Sequence, residues 1–194
     1  MPSMIMNAFV WVPVAIVVAL LMDFWAALLH GKVWHRWLWN IHVTHHSSRK
    51  GRFETNDALS FLHAPIAIAL TLYGCRANPG VLREVAFGAG IGMTIFGVAY
   101  VIVHDGLVHG RLPVKALRRV RYLDTVARAH RVHHAGVFGG PPYGLFFGHW
   151  ELARAKRERE RDHAAAQSDR STPSPHTPAM RGPRPRTTSP QTRG

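Results

Sequence analysis

One cysteine stands in 194 residues. A lone thiol, Cys75, excludes an intrachain disulfide and a thiolate metal cluster, so any metal must be held by other ligands. Cys75 itself reads as an inert small residue near a loop. Acids are scarce too, 11 Asp and Glu against 24 Lys and Arg. No basic residue precedes the first apolar run, so the n-region of a cleaved signal peptide is missing and that run is expected to be retained. Residues after about 150 are almost wholly polar, with Arg, Ser, Thr and Pro dominant. Mixed charge without an apolar stripe cannot offset the entropy of ordering, so 168–194 reads as a disordered and dispensable tail. Pro183 and Pro185, set among arginines, resemble a ligand for a partner domain by composition alone.

The formal charge of +13 and a sequence pI near 11.3 invite a nucleic-acid reading. Long apolar runs give the charge another cause. Cytoplasmic loops of membrane proteins collect Lys and Arg, and such loops attract anionic headgroups. Nucleic acid is therefore set aside as a partner.

Three apolar runs are present: Ala8 to Leu29, broken by Asp23; Ala58 to Gly74, shorter and containing His63 and Pro65; and Val85 to Val103, rich in glycine and free of charge. The outer two have about the 20 residues that a helix needs to cross a bilayer. The middle run is marginal and leaves a re-entrant path open, as 134–150 leaves open a fourth span. Basic residues fall after the first run (Lys32, Arg36, Arg49, Lys50, Arg52) and after the third (Arg111, Lys115, Arg118, Arg119, Arg121, Arg128, Arg131). Only Arg76 and Arg83 lie between the second and third. The positive-inside rule then places the N-terminus outside and the segments 30–57 and beyond 104 on the cytoplasmic side of the cell membrane. The expected fold is all-α, a multi-pass membrane helical bundle of residues 1–150 followed by a basic tail, 151–194.

Fourteen histidines are an excess, and ten fall into two cassettes of one form. His30 and His35 are followed by His42, His45 and His46; His104 and His109 by His130, His133 and His134. Each is an H-x4-H and then an H-x2-H-H. On a helix, positions i, i+3 and i+4 share a face, so the second element can converge three imidazoles on one small space. His35, His42 and His46, spaced i, i+7 and i+11, stay within about 40° on one helix, with His45 on the flank. H-x4-H turns roughly 140°, which fits a helix end, or two rings serving two ions, better than one regular helix. Imidazoles with no thiolate and few acids suit iron, copper or zinc, and not Mg or Ca. Ten ligands exceed one ion and suit two, with positions left open. A histidine-rich metal tract is the bland alternative. The repeated spacing argues against it, as does the placement of both cassettes after apolar runs on one expected membrane face.

The stretches HGKVWHRWLWNIHVTHHSSRKGRFETND, VIVHDGLVHGRLP and RAHRVHHA resemble the motif set of bacterial β-carotene 3-hydroxylases, within the fatty-acid-hydroxylase and sterol-desaturase superfamily. The resemblance covers about residues 20–147. It implies a helical membrane enzyme with two non-haem irons. Such an enzyme inserts one oxygen of O₂ at carbon 3 of a β-ionone ring, with two electrons from a ferredoxin-like donor. β-Carotene would pass through β-cryptoxanthin to zeaxanthin. The resemblance makes all ten cassette histidines iron ligands or groups required near them. The carotenoid would come from the bilayer, with membrane lipids around the chain.

Asp23 inside an apolar run is costly unless paired, which marks it as functional. Asn56, Asp57 and Asp105 stand beside the cassettes and could orient imidazoles from behind or cap helices. Trp34, Trp37 and Trp39 read as an interfacial belt. Gly88, Gly90, Gly92 and Gly97 suggest close helix packing. GVFGGPPYGLFFG reads as a segment closing the site. His63, in an apolar run, is expected to have a partner there, and His163 and His176 are expected to be solvated. A fatty-acid or sterol hydroxylase or desaturase, or a carotenoid ketolase, would use the same metal site. A histidine-rich metal transporter is the non-enzyme reading, but it needs ionisable groups along the spans rather than at their ends.

Overall fold

In a bilayer every backbone N–H and C=O must be satisfied within its own segment, so apolar runs of this length become helices. The computed structural model describes residues 7–47, 53–138 and 140–171, and all its regular structure is helical. The loop residues Arg49, Lys50 and Arg52 lie outside the described residues. So do His176, Pro183 and Pro185 of the tail.

The helix α1 (Ala8–Leu29) starts on Asn7, whose side chain accepts from Phe9 N at 3.1 Å, and runs into a π-helical turn, His30–Trp34. Next come α2 (Trp39–His46), α3 (Asp57–Phe61) and α4 (Ala64–Arg76). The helix α5 (Val81–Tyr100) also continues into a π-helical segment, Val101–Val108. A 3₁₀ turn, Lys115–Arg119, leads into α6 (Arg121–His134), and α7 covers Gly148–Ser171.

Three helical stretches among the described residues are long and apolar enough to cross a membrane: Ala8–Trp34, Asp57–Arg76 and Val81–Val108. The middle run thus has the length and apolarity of a span, interrupted at Leu62 and His63. Pro65 explains the break, because it sits in the first turn of α4, where its missing N–H has no partner to lose. Residues 135–147, apart from the undescribed Gly139, form turns and loop, so no fourth span forms there.

The helix α5 packs against α1 on one side and α4 on the other. Glycine makes this possible. A Cβ on Gly88 or Gly92 would lie 2.5 Å from the carbonyl oxygen of Trp11 or Ala15 in α1. One on Gly90 would lie 2.8 Å from Ala67 O in α4. Small residues letting backbones approach are how membrane helices gain contact, since lipid removes the hydrophobic drive between them. Gly97 differs from that expectation: nothing lies within 4 Å of a Cβ there.

The helix α6 is amphipathic. Val126 and Ala127 are fully buried and pack with Val103, Leu107 and Leu145 into one cluster, while Arg121 and Arg128 face out. That stripe fixes α6 on the π-helical end of the third span. Gly136, at φ +64°, then stops the helix in a conformation that side chains rarely adopt.

The described residues up to Glu158 belong to one compact unit, which contains every cassette histidine, and the described residues from Arg159 belong to another. Ser168–Ser171, expected in the disordered tail, are helical. The Ala-rich stretch before them is made of strong helix formers, and Arg154 pairs with Glu158 one turn on at 2.8 Å.

Candidate metal centre

Each H-x4-H sits on a π-helical turn at the end of a span. A π turn closes its backbone bond from i to i+5, so residues five apart return to the same face. His35 N donates to His30 O at 3.0 Å, and His109 N to His104 O at 3.0 Å. The ring centroids of His30 and His35 are 5.0 Å apart, and those of His104 and His109 are 4.7 Å apart. The helix-end option for this spacing therefore holds, through a widened turn rather than a frayed one. A turn at 35–38 separates His35 from α2. Its alignment with His42 and His46 comes from folding back, not from one continuous helix as the spacing suggested.

The imidazoles gather into two groups whose donor atoms lie within 4.8 Å of one another. One contains His30, His35, His42, His46 and His133; the other contains His45, His109, His130 and His134. His104 adjoins the second, its Nε2 3.2 Å from His45 Nε2. The grouping crosses the cassettes. Each group takes the first residues and the last histidine of its own cassette, and the middle histidine of H-x2-H-H from the other. His45 and His133 are exchanged. Position on the helix explains it: His45 is one residue from His46 and points about 100° away, toward the facing cassette. The two groups touch, with the rings of His46 and His134 stacked at 4.5 Å.

What lies behind the rings sets their protons. The Nδ1–H groups of His30, His42 and His104 donate to Tyr143 O at 2.9 Å, Asn56 Oδ1 at 2.7 Å and Asp105 Oδ1 at 2.8 Å. His133 Nδ1–H donates to Gly140 O. A neutral imidazole carries one proton, so all four turn a bare Nε2 lone pair inward. Yet His30 Nε2 and His42 Nε2 are 3.0 Å apart, and neither has a proton to share. Two lone pairs at that distance repel unless a cation lies between them. His109 Nε2 and His130 Nδ1 are buried with no hydrogen-bond partner. Nitrogens bound ~2.1 Å from one ion stand roughly 3.0–3.4 Å apart when adjacent. The measured Nε2–Nε2 pairs in the first group are 3.0, 3.2 and 3.3 Å. The donor set fits a transition metal, and the backing oxygens are those that orient histidine ligands in metal sites.

Burial keeps the rings that lie outside the spans neutral. It pushes His42 and His46 down to about 4 and His109 and His133 to about 3, with neighbouring imidazoles adding to the effect. His134 falls to about 2, and His45 and His130 are likewise lowered by burial and by the rings around them. Near neutral pH the lone pairs are free for a metal.

The acidic and amide residues divide. Asn56 and Asp105 orient histidines directly. Asp57 touches none; it accepts from Glu54 N at 3.0 Å and from Arg111 Nη1 at 2.7 Å. Asp23, 2% exposed, is held by backbone amides. Its Oδ1 accepts from Leu145 N and Phe146 N, both at 3.1 Å, and its Oδ2 from Phe147 N at 2.9 Å. Glu151 accepts from Tyr143 N at 2.8 Å and Gly144 N at 2.9 Å. Two carboxylates thus hold five successive amides of the glycine- and proline-rich loop. That loop supplies the carbonyls of Gly140 and Tyr143 to His133 and His30. Trp34 is buried against His30, at 5.5 Å, and so is no part of an exposed belt, whereas Trp39 packs on His35 at 5.3 Å and is exposed, as is Trp37.

Several participants were missed in sequence. Arg111 lies 2.9 Å from Glu54 Oε2, 2.7 Å from Asp57 Oδ1 and 3.7 Å from Asp105 Oδ1. Burial works against its charge, but the bond to Asp57 and the surrounding carboxylates outweigh it and raise its pKa. Glu54 Oε2 stands 3.7 Å from His45 Nδ1. One signal was available: Glu54 and Asp57 are acids in a chain poor in them, close to a cassette. Tyr143, Glu151 and Tyr100, whose ring stacks on His104 at 4.5 Å, carried none. Outside the groups, His63 accepts from Trp25 Nε1 at 2.9 Å, His149 bonds Phe146 O at 3.0 Å and His163 is exposed.

No solved structure matches the chain. Beta-carotene 3-hydroxylase 1, chloroplastic, of Arabidopsis thaliana is 48% identical over 141 residues, which is 73% of this chain and 45% of that protein. Beta-carotene hydroxylase 2, chloroplastic, of Capsicum annuum is 50% identical over 131 residues, 68% of this chain and 42% of that protein. The chain spans about half the length of these plant relatives. Beta-carotene hydroxylase of Pseudescherichia vulneris is 38% identical over 162 residues, 79% of this chain and 89% of that protein. The family model described as Fatty acid hydroxylase matches residues 15–153, a stretch that holds both histidine groups and the loop behind them, and the chain belongs to that family.

Proposed function

We propose that this chain is a di-iron monooxygenase that hydroxylates β-ionone rings of carotenoids at carbon 3, carrying β-carotene through β-cryptoxanthin to zeaxanthin. The observation that carries the reading is the pair of touching imidazole groups with inward, unprotonated Nε2 atoms. The names of its relatives support the substrate. His30, His35, His42, His46 and His133 would hold one iron, and His45, His109, His130 and His134, with His104 beside them, the other.

The overall reaction consumes a C–H bond, O₂, two electrons and two protons and yields C–OH and water, with the electrons drawn from a ferredoxin-like protein. Bound iron supplies the redox chemistry that an unactivated C–H bond requires, because no side chain offers an acid–base route to it. Asn56, Asp105 and the carbonyls of Gly140 and Tyr143 hold the Nδ1 protons, so that every backed Nε2 stays available. Tyr100 stacks on His104 and Trp34 packs at a tilt against His30, and both exclude water from that side. Arg111 gathers Glu54, Asp57 and Asp105 so that their charges do not repel one another beside the histidines.

The chain is placed in the cell membrane with its N-terminus outside and the histidines on the cytoplasmic side, from the distribution of Lys and Arg. Cys75, exposed in the last turn of α4, then faces outward, and an impermeant thiol reagent labels it in intact spheroplasts. Labelling only after lysis reverses the orientation.

Expression in β-carotene-accumulating cells followed by pigment chromatography tests the activity. Hydroxylated carotenoid is expected, and only with oxygen. Unchanged β-carotene beside iron-loaded protein overturns the substrate, and ketolated pigment selects the ketolase reading.

A further inference from the structure

A half-open cavity of about 830 Å³ lies among the three spans. It arises where the second span breaks. Gly90 and Gly97 lie seven residues apart and so share a face of α5, the face turned to α4. At Gly90 the helices nearly touch, a Cβ falling 2.8 Å from Ala67 O. At Gly97, two turns nearer the histidines, a Cβ would meet nothing within 4 Å. Between those levels the second span stops at Leu62 and His63, and its direction is free to change. The gap that opens is bounded by Ala26 of α1, Ala64 and Ala67 of α4 and Gly97 of α5. His63, at the break, lines the cavity and accepts from Trp25 Nε1 of α1.

The cavity's inner end reaches the metal centre. Trp34 and Tyr100 line it, and these are the rings that cover His30 and His104. From Met93 to Tyr100 the wall runs roughly 10 Å along the membrane-spanning direction. Most of it is hydrocarbon, and the acidic and cationic side chains in its lining are Asp57, Asp105 and Arg111, all at the histidine end.

Gly97 is the telling residue. Glycine inside a helix is less stable than alanine, and close packing repays that cost at Gly88, Gly90 and Gly92. At Gly97 no neighbour requires it. Its effect is to leave the cavity wide just outside the aromatic rings, where a straight hydrocarbon chain needs little room and a substituted ring needs much.

We propose that this cavity is the binding site for one ring-bearing end of a long, rod-shaped isoprenoid hydrocarbon, and that Gly97 provides the width the ring requires. The ring enters sideways from the bilayer between α1 and α4, which pack on α5 rather than extensively on each other. It comes to rest against Trp34 and Tyr100 while the rest of the rod lies along the spans. The inference rests on the carotenoid reading above.

The test uses the full chain, expressed in β-carotene-accumulating cells and purified in detergent. The measurements are β-carotene carried per protein, iron per protein and hydroxylated product. A Cβ at Gly97 meets nothing within 4 Å, so Gly97→Leu places its side chain in the space proposed for the ring. That variant is expected to keep its iron and thermal transition, to carry at least tenfold less β-carotene and to lose product in proportion, with Gly97→Ala between it and the native chain. Ala64→Phe fills the same space from α4 and is expected to act alike, so a poorly folding Gly97→Leu protein does not end the test. Either variant binding and hydroxylating like the native chain overturns the cavity assignment and leaves the proposed activity standing. A native chain that holds iron but neither binds nor hydroxylates β-carotene overturns both.

Discussion

Removing the Asp23 carboxylate should loosen a metal group that it never touches. Asp23→Ala leaves the amides of Leu145, Phe146 and Phe147 without their acceptor, in a loop where Leu145 is 2% exposed. A buried N–H left unsatisfied costs ~1–3 kcal/mol, so three neighbouring ones, partly relieved by relaxation, cost about 3–6 kcal/mol. That is comparable to the whole stability of many domains. Glu151 still holds Tyr143 N and Gly144 N, so the loop shifts rather than detaches. The shift moves the Tyr143 and Gly140 carbonyls off His30 and His133, both in the first group. Losing such backing bonds weakens metal affinity by roughly 10–100-fold. Asp23→Asn should be milder, because it keeps one acceptor oxygen and opposes only one amide with its NH₂. The assay is iron per chain after a timed chelator challenge, with the thermal transition measured alongside. The expected order is native, Asp23→Asn, Asp23→Ala, with the Ala variant giving up one of two irons first. Full retention of both irons at the native transition temperature by Asp23→Ala would refute the link from carboxylate to loop to histidine.

The exchanged histidines predict a pattern of pairs. His45→Ala combined with His134→Ala should cost no more iron than either alone, because both belong to one group, whereas His45→Ala with His46→Ala should strip both groups; the reverse pattern in metal analysis would show that the groups follow the cassettes. Acid should destabilise the metal-free protein. The rings of α2 and α6 stay neutral when folded, with His42 and His46 held down to about 4, but take a proton near 6.5 once unfolded. The unfolded state therefore binds more protons as pH falls from about 6.5 toward 4, and stability is lost across that window. Denaturant midpoints that stay flat over the same range would contradict the burial of these rings.

Local spacing determined much of this protein. Three apolar runs had to become helices, because lipid offers the backbone no partner, and all three are long and apolar enough to span. The two cassettes were legible for a similar reason: i, i+3 and i+4 share a face in any helix. What the sequence could not determine depends on residues far apart in the chain. H-x4-H looked unfit for one site because a regular helix turns too far in five steps, and only the π-helical ends of α1 and α5 return those rings to one face. The exchange of His45 and His133 requires α2 and α6 to face each other, which neither helix encodes alone. Asp23 was marked by the cost of a carboxylate in an apolar run, but its partners lie more than 120 residues away, in a loop with no pattern of its own. Arg111 looked like a loop charge until folding set it among Glu54, Asp57 and Asp105. Gly97 reads like the packing glycines before it, and only the break in the second span leaves it facing open space. Periodicity reports which face a residue occupies; what that face meets is decided by tertiary packing.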